Sequence, residues 1–182
     1  MRDEISSKMP EIDLISDEGL RQGVISAIER CLRFCGLGPE ALERFPFTLS
    51  EGGDRVSLLA HTRAVARVCH AAASAFNECV DAELRLNLDL LLAGALLHDL
   101  GKLVEFAPAG EGAFEVSEMG RAMRHPFWSA HFCLEAGLPM EVVHLVGSHS
   151  HEGEGRRASA EAIFLHKVDF MVYEATLKKL EG

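Results

Sequence analysis

Apolar residues recur at intervals of three and four along most of this chain, a pattern typical of amphipathic helices. The segment DEGLRQGVISAIERCLRFCG, which begins at Asp17 and ends at Gly36, places its apolar residues on one helical face. A longer helix is predicted over about 55–79. The stretch LNLDLLLAGALLHDLGK is almost continuously apolar, which predicts a fully buried helix ending near Gly101.

Two further helices are predicted to open at Pro139 and at Ser159, where a proline and a capping serine favour a helix start. Residues 103–118 are rich in glycine and proline and predict a surface loop, long enough to form a lid over a site. No segment has the alternation of a strand. The whole pattern predicts an all-α helical bundle.

The segment between the loop and Pro139 is also expected to be helical. A helix from about Ser117 would carry Arg124 and His125, and Pro126 marks either a bend or a new helix start.

The length of 182 residues fits one domain with a single core. Residues 1–16 mix charged residues with isolated apolar ones and are expected to form a loosely docked N-terminal extension. Residues 17–182 are expected to form the single helical domain.

The charge balance argues against duplex nucleic acid as a partner, although a local basic patch stays possible. With 18 Lys and Arg against 28 Asp and Glu, the net charge of -10 provides no overall basic field for duplex nucleic acid. The N-terminus lacks the apolar stretch of a signal peptide, and no segment is apolar enough for a membrane span. Five scattered cysteines fit a reducing compartment, so a cytoplasmic location is predicted. The oligomeric state stays open.

The candidate chemistry lies at the end of the buried apolar helix. His98 and Asp99 stand side by side there, and burial of such polar groups is costly unless they bind a cation or form good hydrogen bonds. Adjacent helical residues point about 100° apart, so both reach one metal ion only from a helix end. His61 and Asp169, each within an apolar helix, are the candidates for further ligands. A buried hydrogen-bonded network without metal is the alternative.

The pattern of these residues along the chain resembles that of a known family. His61 in LLAHT, the doublet in ALLHDLGK and Asp169 in FLHKVDFMV are similar to the H...HD...D pattern of HD-domain phosphohydrolases, over roughly 50–180. The resemblance implies a helical bundle in which His61, His98, Asp99 and Asp169 bind a divalent ion such as manganese, magnesium, iron, cobalt or nickel. Among subgroups, the sequence looks most similar to the HD domain of 3′-to-5′ exoribonucleases.

The resemblance also implies a second ion. His125 and His149 occupy places similar to the additional histidines of two-metal members, with Asp99 bridging the two ions. The segment SHSHEG departs from the family pattern because Ser150 separates His149 from His151, and we favour His149 as the ligand.

Three basic side chains are predicted to contact the phosphate of a substrate. Lys102 follows the doublet by one turn and is predicted to act with Asp99 in catalysis, with capping of the helix carbonyls as the alternative. Arg124 and His151 are predicted to bind substrate beside Lys102, and a solvated helix face is the alternative for Arg124.

The sequence therefore predicts a divalent-metal-dependent phosphohydrolase that uses a metal-activated water and two ions per chain. Its expected substrate is a phosphorylated small molecule, a nucleotide or the end of a short oligonucleotide. The alternatives are a mononuclear nucleotidase or triphosphohydrolase, a nucleotide-sensing HD module without turnover, and a partner-binding regulatory subunit.

Overall fold

Helices account for most of the chain in the computed structural model, which describes residues 1–181. The α-helices are α1 (Arg2–Lys8), α2 (Glu18–Phe34), α3 (Ala41–Arg44), α4 (Leu58–Cys79), α5 (Leu88–Leu97), α6 (Lys102–Glu105), α7 (Glu118–Ala122), α8 (His125–Glu135), α9 (Met140–Ser148) and α10 (Ala160–Leu180). The strands are β1 (Phe106–Gly110) and β2 (Ala113–Val116). Short 3-10 turns cover Pro10–Leu14, Gly53–Arg55, Ala82–Leu84 and His151–Gly153. The predicted all-α class is confirmed.

Helix α5 forms the centre of the bundle. Every residue from Leu91 to Leu97 is buried, as expected for a helix that is apolar on all sides. Helices α2, α4, α9 and α10 pack around it. The helix ends at Leu97, so His98 and Asp99 follow directly in a buried turn. The core therefore holds these two side chains at the point where four surrounding helices converge.

The predicted helix starts coincide with capping side chains. Asp17 accepts a hydrogen bond from Leu20 N at the start of α2, and Ser57 accepts one from Ala60 N at the start of α4. Ser159 caps α10 in the same way, as the sequence predicts. Each cap satisfies a backbone N–H that has no partner within the helix.

The N-terminal segment differs from the prediction. Instead of docking loosely, residues 1–16 form α1 and a 3-10 turn, and most of their apolar side chains are buried, with Leu14 exposed. The buried side chains are Ile5, Met9, Ile12 and Ile15. The isolated apolar residues of this segment therefore share one face that packs on the core. Glu11 also accepts a bidentate ion pair from Arg63 on α4, with Arg63 Nε 2.9 Å from Glu11 Oε2. The division of the chain at residue 16 stays a prediction.

The expected surface loop differs from the prediction in two respects. Its first residues, Leu103, Val104 and Glu105, belong to helix α6 and are buried. Within residues 103–118, β1 and β2 pair as an antiparallel hairpin with Phe106 opposite Val116. The turn residues 110–112 all have positive φ, and two of them are glycines, which adopt this conformation without strain. Pro108 is tolerated because each strand of a two-stranded sheet has only one neighbour. A role for this segment as a lid stays a prediction.

The helix expected from Ser117 is two helices. Helix α7 ends at Ala122, and α8 begins at His125 with Pro126 in its first turn, so Pro126 marks a helix start.

Within residues 1–181, no helix combines the length and the apolar character needed to cross a membrane. The cytoplasmic location stays a prediction.

Candidate metal centre

One group of four predicted ligands comes together where α4, α5 and α10 meet. His61 lies in the first turn of α4, His98 and Asp99 follow α5, and Asp169 lies in the middle of α10. His61 Nε2 is 3.1 Å from Asp169 Oδ1 and 3.4 Å from Asp99 Oδ2. His98 Nε2 is 3.3 Å from Asp99 Oδ2 and 3.4 Å from Asp169 Oδ1. All four residues are buried.

The other carboxylate oxygen of Asp99 faces a second group. His125, the first residue of α8, places its Nε2 3.3 Å from Asp99 Oδ1. His149, directly after α9, places its Nε2 3.6 Å from the same oxygen and 3.3 Å from His125 Nε2. Both histidines are buried. Asp99 therefore lies between two clusters of donor atoms, with one oxygen toward each.

Backbone and carboxylate acceptors fix the orientation of three of the imidazole rings. His98 Nδ1 lies 2.8 Å from Ala95 O, and His149 Nδ1 lies 2.6 Å from Val146 O. His125 Nδ1 lies 2.5 Å from Glu105 Oε2. In the neutral ring, donation from Nδ1 leaves a lone pair on Nε2, which is the form that binds metal ions.

The donor set fits divalent ions. Two ligand atoms bound at about 2.1 Å to one ion lie about 3.0 to 3.4 Å apart, close to the separations of the first group. His98 Nε2 is buried and makes no hydrogen bond to any residue within 1–181, although two carboxylate oxygens lie near it. Imidazole nitrogens and carboxylate oxygens together are typical ligands of manganese, iron, cobalt, nickel and zinc.

Charges in the cluster also favour a cation. Burial favours the neutral ring of His98, but the Asp99 and Asp169 carboxylates outweigh it and raise the pKa of His98 to about 10. Burial opposes ionisation of Asp99, yet Lys102 and His98 hold the pKa of that carboxyl well below its usual value. A proton on His98 therefore provides positive charge that a metal ion would supply instead, and ion binding there releases protons.

His125, in the second group, is held in its neutral form. Burial lowers the pKa of His125 to about 4, against the opposing effects of Glu105 and Asp99. An unprotonated imidazole can bind an ion without first losing a proton.

An open pocket of about 650 Å³ leads from solvent to both groups, a size common for small-ligand sites. The three side chains predicted to contact phosphate all line it. Lys102 Nζ is 2.7 Å from Asp99 Oδ2 and donates to Phe47 O at 2.5 Å, so it lies beside the first group. Arg124 forms ion pairs with Glu105 and Glu152, and its side chain is about half exposed.

The structure separates the two histidines of SHSHEG. His149 is buried in the second group, whereas His151 is exposed on the pocket wall, with its ring centroid 5.2 Å from that of Phe170. The roles of Lys102, Arg124 and His151 in substrate binding stay predictions.

Glu105 is the residue of this site that sequence reasoning missed. Its carboxylate is buried and accepts hydrogen bonds from the backbone and the ring of His125. Assigning the segment after Lys102 to a surface loop concealed it. The available signal was a carboxylate set within the apolar run Leu103, Val104 and Phe106, which marks a charged group that needs a buried partner.

Two comparisons relate this chain to known proteins. The family profile described as HD domain matches residues 58–172, more than half of the chain. A dihydroneopterin 2′,3′-cyclic phosphate phosphodiesterase from Methanocaldococcus jannaschii is 30% identical over 120 residues, which are 65% of this chain and 45% of that protein. The chain thus spans less than half the length of this relative. No solved structure shows a significant match. Because the HD domain profile matches more than half of its residues, the chain belongs to the HD-domain superfamily of phosphohydrolases.

Proposed function

We propose that the chain hydrolyses a phosphoester of a small molecule with two divalent ions bridged by Asp99. The observation that carries this proposal is that the two oxygens of the Asp99 carboxylate face different histidine pairs. Its Oδ2 faces His61 and His98, and its Oδ1 faces His125 and His149. A site for one ion does not need donors on both sides of the carboxylate.

In this proposal the ions and the side chains have different roles in the hydrolysis. Bound divalent ions lower the pKa of a coordinated water and neutralise charge on the phosphoryl group. Asp99 and Asp169 supply the negative charge that holds them. Lys102, which donates a hydrogen bond to Asp99, places a positive charge beside the first group and at the pocket wall. Arg121 is exposed on the same wall and can donate to a phosphate oxygen.

A nucleotide or the end of a short oligonucleotide is the proposed substrate. The pocket wall formed by Thr48, Ser50, Phe170 and Tyr173 offers hydroxyls and aromatic rings. Ser50 Oγ lies 3.2 Å from both Thr48 Oγ1 and Tyr173 OH. Hydroxyls that both donate and accept suit the hydroxyls of a sugar, and aromatic rings suit a heterocycle.

The activity of the Methanocaldococcus jannaschii relative adds cyclic phosphodiesters to the candidate substrates. We therefore include a nucleoside 2′,3′-cyclic phosphate in the assay below. A mononuclear nucleotidase or triphosphohydrolase is the competing enzyme.

Metal content tests the two-ion centre. We expect freshly purified protein, loaded with manganese, to contain about two ions per chain and to hydrolyse bis(p-nitrophenyl) phosphate. His125→Ala removes a ligand of the second group alone, so it should retain about one ion. His131→Ala is the matched control, since this histidine lies on α8 outside both groups. Elemental analysis and manganese-dependent release of p-nitrophenol measure both quantities.

Other results would favour the alternatives. One ion in the wild type, with turnover of mononucleotides, would favour the mononuclear enzyme. Two ions without hydrolysis of any diester, cyclic ester or mononucleotide would leave a sensing module.

Tyr173→Phe tests the nucleotide part of the proposal, because it removes only the hydroxyl that contacts Ser50. We expect its KM for thymidine 5′-(p-nitrophenyl) phosphate to rise about fivefold, the value of one hydrogen bond of about 1 kcal/mol. The KM for bis(p-nitrophenyl) phosphate should not change, since that ester lacks hydroxyls. Equal changes on both esters would speak against recognition of the nucleoside by Tyr173. Phe76→Leu, an exposed change on α4, serves as the control.

A further inference from the structure

Arg124 lies between the two segments that carry the histidines of the second group. Its Nε donates to Glu105 Oε1 at 3.0 Å, and one of its terminal nitrogens lies 3.5 Å from Glu152 Oε1. Glu105 ends α6 and contacts His125, whereas Glu152 lies in the turn that follows His149. The guanidinium therefore joins one segment to the other.

On one side, Glu105 fixes both the start of α8 and the ring of His125. Its Oε2 accepts from His125 N at 2.6 Å and lies 2.5 Å from His125 Nδ1. Arg124 occupies the N-cap position of α8 but makes no side-chain cap of its own, so Glu105 supplies the capping oxygen from α6. Movement of this carboxylate would thus move the ligand nitrogen of His125.

On the other side, Glu152 depends on Arg124. Glu152 Oε2 is buried and has no hydrogen-bond partner in the described part of the chain. Loss of Arg124 would leave this carboxylate without its ion pair, and a buried unpaired group is costly. The turn would then rearrange so that the carboxylate reaches solvent. Because that turn continues from His149, its rearrangement would displace the second ligand of the group.

We propose that Arg124 is a positioning residue for the second ion and not a phosphate ligand. By joining Glu105 to Glu152, it holds His125 and His149 at the separation that brings both Nε2 atoms to Asp99 Oδ1. This inference rests on the two-ion centre proposed above. Two carboxylates already neutralise the single positive charge of Arg124, which weakens its attraction for a phosphate. Arg121, which donates to the backbone oxygen of Val116, is not held between two carboxylates in this way.

Manganese titration of metal-free protein by calorimetry tests the proposal. We expect Arg124→Met to weaken the second ion about tenfold while the first ion binds as in the wild type, an effect in the range of residues that orient metal ligands. Arg121→Met is the matched control, with the same loss of charge on the same pocket wall, and should leave both affinities unchanged. Arg124→Lys keeps the charge but has one terminal nitrogen in place of the guanidinium that spans the two carboxylates, so it should restore affinity only in part.

Each other result has a defined meaning. A wild type that binds one ion overturns the proposed function and this inference together. Two ions in the wild type with unchanged affinities in Arg124→Met overturn the positioning role alone. A raised KM for bis(p-nitrophenyl) phosphate at saturating manganese, with both affinities intact, makes Arg124 a phosphate ligand instead. Equal weakening of both ions with a lowered unfolding temperature makes its role one of general stability.

Discussion

The Asp99→Asn variant is expected to lose both metal ions and to fall about 1,000-fold or more in activity. An amide has nearly the same shape as a carboxylate but carries no negative charge and offers one oxygen instead of two. The two histidine groups would then no longer share an anionic ligand. Loss of several kcal/mol of transition-state stabilisation by the ions corresponds to a rate decrease of this order. Elemental analysis and the bis(p-nitrophenyl) phosphate assay measure the two effects.

The matched control for this variant is Asp54→Asn, an exposed aspartate in the Gly53–Arg55 turn. It should keep its metal content and its activity. Retention of both ions by Asp99→Asn would contradict a bridging role. Loss of one ion alone would assign Asp99 to a single group.

The Gly101→Ala variant is expected to lose stability through a clash with the backbone of α8. A Cβ at this position would lie 2.2 Å from His125 O and 2.9 Å from Ser129 N, both backbone atoms in the first turns of α8. Helix α8 would have to move away from the turn that carries Asp99. We expect the free energy of unfolding to fall by about 3 kcal/mol, at the upper end for overpacked sites. The midpoint of thermal unfolding should then fall by about 6 to 12 °C in a chain of this size.

Gly147→Ala provides the matched control. Its Cβ would meet Ala130 Cβ at 3.7 Å, an ordinary contact, and alanine is the better helix former within α9. This variant should unfold at the same temperature as the wild type or slightly above it. Circular dichroism on metal-free protein separates these effects from metal binding. An unchanged midpoint in Gly101→Ala would show that α8 can shift at little cost.

Much of the fold could be predicted from the sequence because the helices follow apolar periodicity. The bounds of α2, α4 and α10 fall within a few residues of those expected from spacing and capping residues. The packed segment at residues 1–16 could not be predicted, because its few apolar residues do not extend over enough turns to form a clear stripe. Most of the core residues that bury these side chains lie far away in the sequence.

The candidate site was predictable as a set of residues but not as a geometry. The pattern of His61, the doublet and Asp169 indicates which side chains to expect together. This pattern does not determine where α9 ends. The position of that end determines which of His149 and His151 lies next to Asp99. Here α9 ends at Ser148, and the hydrogen bond from His149 Nδ1 to Val146 O turns its ring toward Asp99. Such a bond depends on the packed backbone and leaves no trace in residue type.

The order of the ligands along the chain has a consequence for synthesis. The first group takes His61 from α4 and Asp169 from α10, the last helix described. A growing chain on the ribosome can therefore fold its central helices before this pair of side chains exists. The complete first group becomes available only after α10 has left the exit tunnel. On the proposed function, capture of an ion by this group would be a late event in maturation, and a retained ion would report that α4, α5 and α10 have assembled.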